Sequence, residues 1–185
     1  MVVRVPEKFK KLSPFKSGSR TSSFVEFVDL VPTVLSLAGI KVPKSVDGKP
    51  FLGKKLKKSK IERQNVTFGY ADRFDEKYDL VRSVRKGKFK YIRNYQPFNV
   101  DGLYNFYRYK MLAYKEWYNL FQNGKLNEVQ SQFFKPRTPE ALYNIEEDPH
   151  ETNNLANDDN YNETLTGLRN ESVSYTHLRA HETGY

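Results

Sequence analysis

Histidine and cysteine, which often serve as metal ligands and nucleophiles, are scarce in this chain. There is no cysteine, so a thiol nucleophile, a disulfide framework and a Cys-ligated zinc or iron–sulfur site are excluded within these residues. His177 and His181 are four positions apart, a spacing that places two metal ligands on one face of a helix. His150 lies in a polar turn and is interpreted as a surface residue. The motifs GxGxxG, GxxxxGK[S/T], HExxH and GxSxG do not occur, so these signatures of nucleotide and metal sites and of serine hydrolases are missing.

The histidines at 177 and 181 belong to a stretch whose pattern fits no structural element. Residues 172–183 have neither apolar periodicity nor a helix-capping signal, and residues 173–183 resemble the translation of a common sequencing adapter. We therefore predict that residues 172–185 are a non-native tail, and that the natural protein ends or continues differently near Asn170 or Glu171. His177 and His181 are accordingly given no metal-binding role.

The chain is basic, but its charge is unevenly distributed. Lys and Arg number 31 against 22 Asp and Glu, which gives a net charge of +9 and a pI near 9.5. Residues 1–63 carry +10, residues 64–135 carry +6 and residues 136–185 carry −7. The lysine cluster in residues 54–60 has no interleaved aromatic residues and no helix face, so a solvated connection is favoured over a nucleic-acid interface. No apolar run is long enough to predict a transmembrane helix.

The first third of the chain alternates apolar segments with polar connections. Residues 2–5 predict the end of a buried strand, and residues 24–28 predict a second short strand. A helix is expected next, with Asp29 as N-cap, Pro32 in its first turn and Gly39 as the left-handed residue that ends it. Residues 41–63, rich in lysine, glycine and proline, predict a linker or exposed loop.

Period-two alternation dominates the middle of the chain. Residues 66–70 predict a strand, and residues 80–85 and 89–95 predict a hairpin that turns at residues 86–88. Residues 141–145 predict one further strand.

Helical patterns occupy the remaining segments. Residues 104–121 hold eight aromatic residues, and five of them share one helical stripe with Met111, which Asn123 and Gly124 end. Packing is the favoured interpretation of this stripe, and an aromatic wall for a sugar is the alternative. A short helix is expected at residues 126–133, and residues 161–169 predict the beginning of a last helix. Asp148 and Glu151 have the spacing of a capping box that opens a helical turn.

Four segments in order resemble the C-terminal third of type I sulfatases, the formylglycine-dependent members of the alkaline phosphatase superfamily. The first is the Arg-Val-Pro run at residues 4–6, which is similar to the family's entry beyond its active-site strand. Residues 28–40 resemble the family's Asp-Leu…Pro-Thr helix that ends in Ala-Gly. Residues 84–92 resemble its Gly-Lys…Lys-Tyr-Ile hairpin, and residues 140–155 resemble its Leu-Tyr…Asp-Pro…Asn-Leu signature.

The resemblance implies an α/β fold of which this chain is a fragment. Residues 1–53 would be the C-terminal end of the large mixed-sheet α/β catalytic domain. Residues 54–171 would be a small α+β subdomain with an antiparallel sheet and helices. The strand and helix pattern of the chain agrees with this layout.

The resemblance also implies an activity whose chemical groups lie elsewhere. Sulfatases hydrolyse sulfate esters, or N-sulfates, and here a sulfated glycan is the expected substrate. In the family, a formylglycine made from the Cys or Ser of a C/S-x-P-x-R motif attacks sulfur, and a divalent cation, usually calcium, is bound nearby. Neither the motif nor the cation cluster occurs in this sequence. We therefore expect no catalytic and no metal-binding residue in this chain, and an inactive fragment.

The resemblance implies that residues of this chain contact the substrate, because loops of the C-terminal subdomain line the mouth of the family's pocket. Residues 70–79 mix both charge signs with aromatic residues. Arg73 can pair with an anionic group through two hydrogen bonds, and Tyr78 can stack on a sugar ring. Asp75 and Glu76 can accept hydrogen bonds from sugar hydroxyls. The alternative is a loop held together by its own ion pairs.

Two other functions remain open at this stage. A phosphodiesterase or phosphonate monoester hydrolase of the same superfamily would share the fold, and a basic nucleic-acid-binding module would explain the charge alone. The family resemblance favours a sulfated saccharide as the partner, with neither nucleic acid nor membrane. It also implies a periplasmic or extracellular location.

Overall fold

The computed structural model describes residues 1–74 and 77–182. The chain divides into two compact units, one from Met1 to Thr67 and one from Phe68 onward. The predicted division into the end of a large domain and a subdomain at residue 54 concerns a longer protein and stays a prediction. No helix of the described residues is long and apolar enough to cross a membrane.

The first unit is built from short helices and loops. Its helices are two 3₁₀ turns, Glu7–Leu12 and Phe27–Asp29, and two α-helices, α1 (Leu30–Leu37) and α2 (Lys58–Ile61). The strands predicted at residues 2–5 and 24–28 are wrong, because none of residues 1–65 forms a strand. An isolated strand leaves its backbone groups unpaired, and this unit offers no partner strand to either segment. Val2 is accordingly 98% exposed and Phe27 is 92% exposed.

Helix α1 begins and ends where the sequence predicts, but its first turn is fixed differently. Asp29 makes no side-chain cap to the helix; its buried carboxylate accepts the backbone N–H of Glu26 at 3.0 Å and that of Lys49 at 2.7 Å. Thr33 donates its hydroxyl to the Asp29 carbonyl at 2.6 Å and accepts the N–H of Phe51 at 3.1 Å. Because these bonds span about twenty positions of sequence, the helix start is tied to the following loop.

The second unit contains a four-stranded sheet in the order β1-β2-β3-β4. The strands are β1 (Val66–Phe74), β2 (Lys77–Lys86), β3 (Phe89–Asn94) and β4 (Glu140–Asn144). Strands β2 and β3 form the predicted antiparallel hairpin, and β4 pairs antiparallel with β3. The turn places Gly87 at a φ of +54°, a conformation that two-residue hairpin turns require and that glycine adopts without strain.

The core of this unit lies across the middle of the sheet. Val84 faces Tyr91, Tyr91 faces Leu142, and all three are buried. Helix α5 (Asn162–Glu182) packs against β2 and β3 and buries Leu165 and Leu168. The last helix, predicted to begin at residues 161–169, is therefore present and extends to Glu182. That residues 172–185 are a non-native tail stays a prediction.

The capping box predicted at Asp148 opens no helix. The Asp148 carboxylate accepts the N–H of Asn153 at 2.8 Å, which closes a turn. Glu151 has a φ of +55°, which is incompatible with a right-handed helix. The chain then returns beside β4, where Leu155 donates its N–H to the Leu142 carbonyl at 2.8 Å. The capping motif does not start a helix, because these hydrogen bonds hold the chain in a turn and then beside β4.

The aromatic segment forms a compact helical cluster. Helix α3 (Leu112–Gln122) begins later than predicted, because residues 104–111 form turns and the 3₁₀ segment Arg108–Lys110. The short helix predicted at residues 126–133 is α4 (Glu128–Ser131), followed by a 3₁₀ turn. Trp117 stacks on Phe133 with ring centroids 4.5 Å apart, and Phe121 stacks on Phe134 at 4.7 Å. Trp117 and Phe121 are thus used for packing, as the favoured interpretation expected, whereas Tyr107 of the same stripe is 74% exposed.

Candidate functional site

The candidate segment 70–79 is the end of a hairpin and not a long loop. Strand β1 reaches Phe74 and strand β2 starts at Lys77, so only the connection between them is left as a tip. Arg73 lies near the end of β1 with an exposed side chain, and Tyr78 lies near the start of β2, 64% exposed. Asp75 and Glu76 lie outside the described residues.

Strands β1 and β2 are neighbours in the sheet, and Arg73 and Tyr78 lie near the same end of these two strands. A guanidinium beside a phenol ring offers an anion two parallel hydrogen bonds and offers a sugar a flat apolar face. The arrangement can bind and orient a ligand, and it contains no group suited to act as a nucleophile.

Part of the segment is held by ion pairs with residues outside it. The Asp72 carboxylate pairs with Arg82 of the neighbouring strand, and the Arg82 guanidinium lies 5.9 Å from the centre of the Tyr70 ring. These contacts assign a structural role to Asp72 and Arg82 in bracing β1 against β2. They leave the roles of Arg73 and Tyr78 open.

The inner side of β2 is anchored by a buried carboxylate. The side chain of Asp79 is 9% exposed and pairs with both terminal nitrogens of Arg137, while Lys77 Nζ lies 3.7 Å from Asp79 Oδ1. Burial by itself would raise the pKa of Asp79, but the hydrogen bonds and charge of Arg137, with Lys77, outweigh it and lower the pKa. Asp79 is therefore ionised at neutral pH and fixes the strand to Arg137.

Two further features hold the base of the hairpin in place. Asn99 donates its side-chain amide to the Tyr78 carbonyl at 2.7 Å. Leu80 has a φ of +50°, a strained value for a bulky residue, and regular pairing with β3 begins only at Val81. Strained backbone persists only where surrounding contacts enforce it, and such positions cluster at functional sites. The exposed face that carries Tyr78 is thus presented by a fixed base.

The residues that the sequence analysis missed are those that form this base. Arg137 is 58 positions from Asp79 in the sequence, so no local spacing signals their pairing. Asp79 itself lay inside the segment singled out, but its burial was visible only in the fold. His150 is exposed in the turn after β4, as expected. Within the described part of the chain, no group of three or more His, Asp or Glu side chains is arranged to hold a metal ion.

The comparisons with known proteins point in one direction. Residues 1–137 match the family model described as N-sulphoglucosamine sulphohydrolase, C-terminal. The chain is 37% identical over 172 residues to an "Ulvan-active sulfatase" of Formosa agariphila, covering 92% of this chain and 27% of that protein. A second "Ulvan-active sulfatase" of the same organism is 26% identical over 176 residues, covering 94% of this chain and 33% of that protein.

Among solved structures, the fold is similar to that of BT4656 in complex with its substrate D-glucosamine-2-N,6-O-disulfate. The TM-score is 0.52 at 18% sequence identity, over 86% of this chain and 25% of that one. A likeness at this identity concerns the fold alone. The chain spans about a quarter to a third of the length of the curated relatives that it matches.

Proposed function

Because this chain belongs to the N-sulphoglucosamine sulphohydrolase C-terminal family, we propose that it forms the C-terminal part of a sulfatase. The enzyme would hydrolyse sulfate esters or N-sulfates on a sulfated glycan. The single observation that carries this proposal is the match of residues 1–137 to the family model. It is supported by 37% identity over nearly the whole chain to a protein described as an ulvan-active sulfatase.

The role proposed for these residues is to bind and orient the substrate. The Arg73 guanidinium would take a sulfate or a uronate carboxylate through two hydrogen bonds, and the Tyr78 ring would stack on a sugar. Asp75 and Glu76 would accept hydrogen bonds from sugar hydroxyls. Support for this proposal comes from the exposure of Tyr78 and Arg73 and from the fixed base that Asp79 and Arg137 provide beneath them.

The reacting groups would come from residues outside this sequence. A formylglycine would supply the nucleophile, and a divalent cation, calcium in the resemblance, would neutralise the sulfate charge. The described residues do not fit such a cation, since the buried carboxylate of Asp79 is already neutralised by Arg137 and Lys77. We therefore derive no catalytic step from this chain. An exported, periplasmic or extracellular location is part of the same proposal and rests on the resemblance.

The first experiment is an assay of the full-length enzyme. We expect release of inorganic sulfate from a sulfated glycan such as ulvan, and no comparable turnover of a phosphate diester. Preference for the phosphate diester would replace the sulfatase proposal with the phosphodiesterase alternative. Absence of the C/S-x-P-x-R motif from the full-length gene would end the proposal of catalysis altogether.

The binding role is tested by Arg73→Ala in the same enzyme. Removing the guanidinium is expected to lower kcat/KM on the glycan by about tenfold to a hundredfold, the effect of losing a charge-assisted hydrogen-bond pair. Arg85→Ala is the matched control, because it removes an exposed arginine from the far end of strand β2. Equal kcat/KM in Arg73→Ala and Arg85→Ala would refute the role of Arg73.

A further inference from the structure

Two lysine-rich segments of the first unit lie beside each other, and together they form what we call the basic surface, residues 7–16 and 54–63. Although they are far apart in the sequence, Gly53 donates its N–H to the Leu12 carbonyl at 2.7 Å. Lys58 Nζ lies 6.0 Å from the ring centre of Phe15. Nine lysines and one arginine face two glutamates, so the basic surface has a net charge of +8. Only the fold brings these charges together.

The segment that carries most of these lysines is held at both ends. Gly53 is buried, and a Cβ there would stand 1.8 Å from Ser36 Oγ, so glycine allows the chain to pass close to helix α1. Ile61 of helix α2 is 3% exposed and anchors the other end. The lysines between them are exposed, and Lys55 has a φ of +64°, a strained value for a residue with a side chain. Since strained positions cluster at functional sites, this segment is more than a loose connection.

The glutamates of the basic surface do not neutralise it. Glu7 pairs with Lys10, and Glu62 lies 3.3 Å from Lys58 Nζ, and both pairs are exposed. Crowded like charges repel each other and destabilise the folded state, and a polyanion lying across them would relieve this repulsion. Because lysine is almost never fully buried without a partner, we expect the basic surface to face solvent in a longer enzyme as well.

The residue types indicate which kind of anion fits. Lysine is a point charge on a flexible stem and lacks the planar fork with which arginine binds one sulfate or carboxylate through two hydrogen bonds. Many such charges favour a flexible chain with repeated anionic groups over a single anion. Nucleic-acid recognition would add aromatic side chains for base stacking or a long helix for a groove. Residues 54–63 contain no aromatic residue, and α2 has four residues.

We propose that the basic surface binds a sulfated polysaccharide as a polymer, through the repeated sulfate groups of its chain. The proposal deepens the proposed function and rests on it, because a sulfatase that acts on a polysaccharide meets such a polyanion as its substrate. Attachment of one part of the chain raises the effective concentration of its other sulfate groups at the enzyme. Affinity would therefore increase with the length of the glycan and decrease with salt.

Binding is measured by the fluorescence anisotropy of labelled dextran sulfate titrated with the 185-residue chain. We expect unlabelled ulvan to compete and unsulfated dextran of the same length not to compete. Affinity should fall by about tenfold or more between about 50 and 200 mM salt, because bound counterions are released. Equal competition by unsulfated dextran, or an affinity that does not change with salt, overturns the proposal. Tighter binding of duplex DNA than of ulvan, at equal concentration of charges, also overturns it and assigns the surface to nucleic acid.

Variants test whether these particular lysines are responsible. The charge-reduced variant carries Lys11→Gln, Lys54→Gln, Lys57→Gln and Lys60→Gln. The matched control has the same net charge but loses four exposed lysines of the second unit, by Lys110→Gln, Lys115→Gln, Lys125→Gln and Lys135→Gln. We expect binding of dextran sulfate to weaken by about tenfold or more in the charge-reduced variant and by less than about threefold in the control. Equal losses would mean that net charge alone attracts the glycan, and would refute the proposal.

Two measurements separate lost charge from lost structure. Arginine at the same four positions keeps the charges and should keep the affinity within about threefold, because the attraction does not depend on hydrogen-bond geometry. An arginine variant that binds as weakly as the glutamine variant contradicts the proposal. Circular dichroism confirms folding, and the comparison of dextran sulfate with dextran needs no variant.

In the full-length enzyme, the charge-reduced variant should raise KM on ulvan by about tenfold and leave kcat unchanged. Its kcat/KM on a sulfated disaccharide should not change, because so short a ligand cannot span the basic surface. An equal loss on the disaccharide overturns the proposal. If the enzyme releases no sulfate, the titration with dextran sulfate still reports whether the surface binds a sulfated polymer. If the chain does not bind dextran sulfate, sulfate release stands and only the polymer-binding surface is lost.

Discussion

The junction between helix α5 and the sheet depends on one carboxylate, and its removal should measurably destabilise the second unit. Glu140 accepts the hydroxyl of Tyr91 at 2.6 Å and two nitrogens of Arg169 at 2.7 and 2.8 Å. Tyr91 belongs to the sheet core and Arg169 to α5, so Glu140 joins the two elements. The perturbation we consider is Glu140→Ala.

The magnitude follows from what the substitution leaves behind. The Tyr91 hydroxyl, on a residue 1% exposed, loses its acceptor, which costs about 1–3 kcal/mol. The bond to Arg169 contributes about 0.5–1.5 kcal/mol, a value reduced for solvent screening because the Arg169 side chain is 41% exposed. The expected loss of unfolding free energy is therefore about 2–4 kcal/mol, which lowers Tm by about 5–12 °C in a chain of this size.

The same carboxylate predicts a pH dependence. The hydrogen bond from Arg169 lowers the pKa of Glu140 most; burial opposes the shift, and Tyr91 and Arg93 add to it. Because the folded pKa is below the unfolded value, the stabilisation is fully present above the unfolded pKa and is lost as the pH falls through the folded pKa. Wild-type protein should therefore lose stability between about pH 5 and pH 3 more steeply than Glu140→Gln.

Urea denaturation followed by far-UV circular dichroism measures both effects. The matched control is Glu147→Ala, because Glu147 is 69% exposed and lies 3.9 Å from Lys88, and it should change stability by less than about 0.5 kcal/mol. If Glu140→Ala is no less stable than Glu147→Ala, the junction does not hold the helix to the sheet and the reasoning is refuted.

Two further substitutions test the packing of each unit. Gly48→Ala should destabilise the first unit by about 1–3 kcal/mol, because its φ is +82° and a Cβ would stand 2.5 Å from the Val28 carbonyl oxygen; thermal denaturation checks it, and an unchanged Tm contradicts it. Phe134→Ala should cost about 3–5 kcal/mol and shift Trp117 emission to longer wavelength, because the two rings are 5.1 Å apart in the aromatic cluster. Phe106→Ala, at a 63% exposed ring, is its control, and equal losses in the two variants would contradict the prediction.

Elements that depend on interactions over a few residues were predicted correctly, and elements that depend on partners far away in the sequence were not. The β2–β3 hairpin and helix α1 were predicted correctly because alternation, helical spacing and the glycines at 39 and 87 act over a few residues. The strands expected at residues 2–5 and 24–28 were wrong because a strand needs a partner, and apolar residues do not say whether one is present. The capping box at Asp148 failed because its carboxylate bonds to Asn153 in a turn instead of to a helix start.

In the candidate site, too, single residues could be identified from the sequence, but their pairing with residues far away in the sequence could not. Arg73 and Tyr78 were found because charge and aromatic character are visible in the residues themselves. The two cations and two carboxylates that form their base come from three separate segments, around Lys77, Asp101 and Arg137, and only the fold brings these together. A sequence that mixes both charge signs therefore indicates a site without indicating which charges are already paired.

The two sides of strand β2 have different roles. On β2, the inward side chain of Asp79 is buried and paired to Arg137, whereas the outward side chain of Tyr78 is exposed. Moving Asp79 would take from the buried guanidinium of Arg137 the carboxylate to which it donates two hydrogen bonds, so the base of the hairpin resists displacement. Because Asn99 and this base hold the backbone at Tyr78, little conformational entropy is lost there when Tyr78 contacts a ligand.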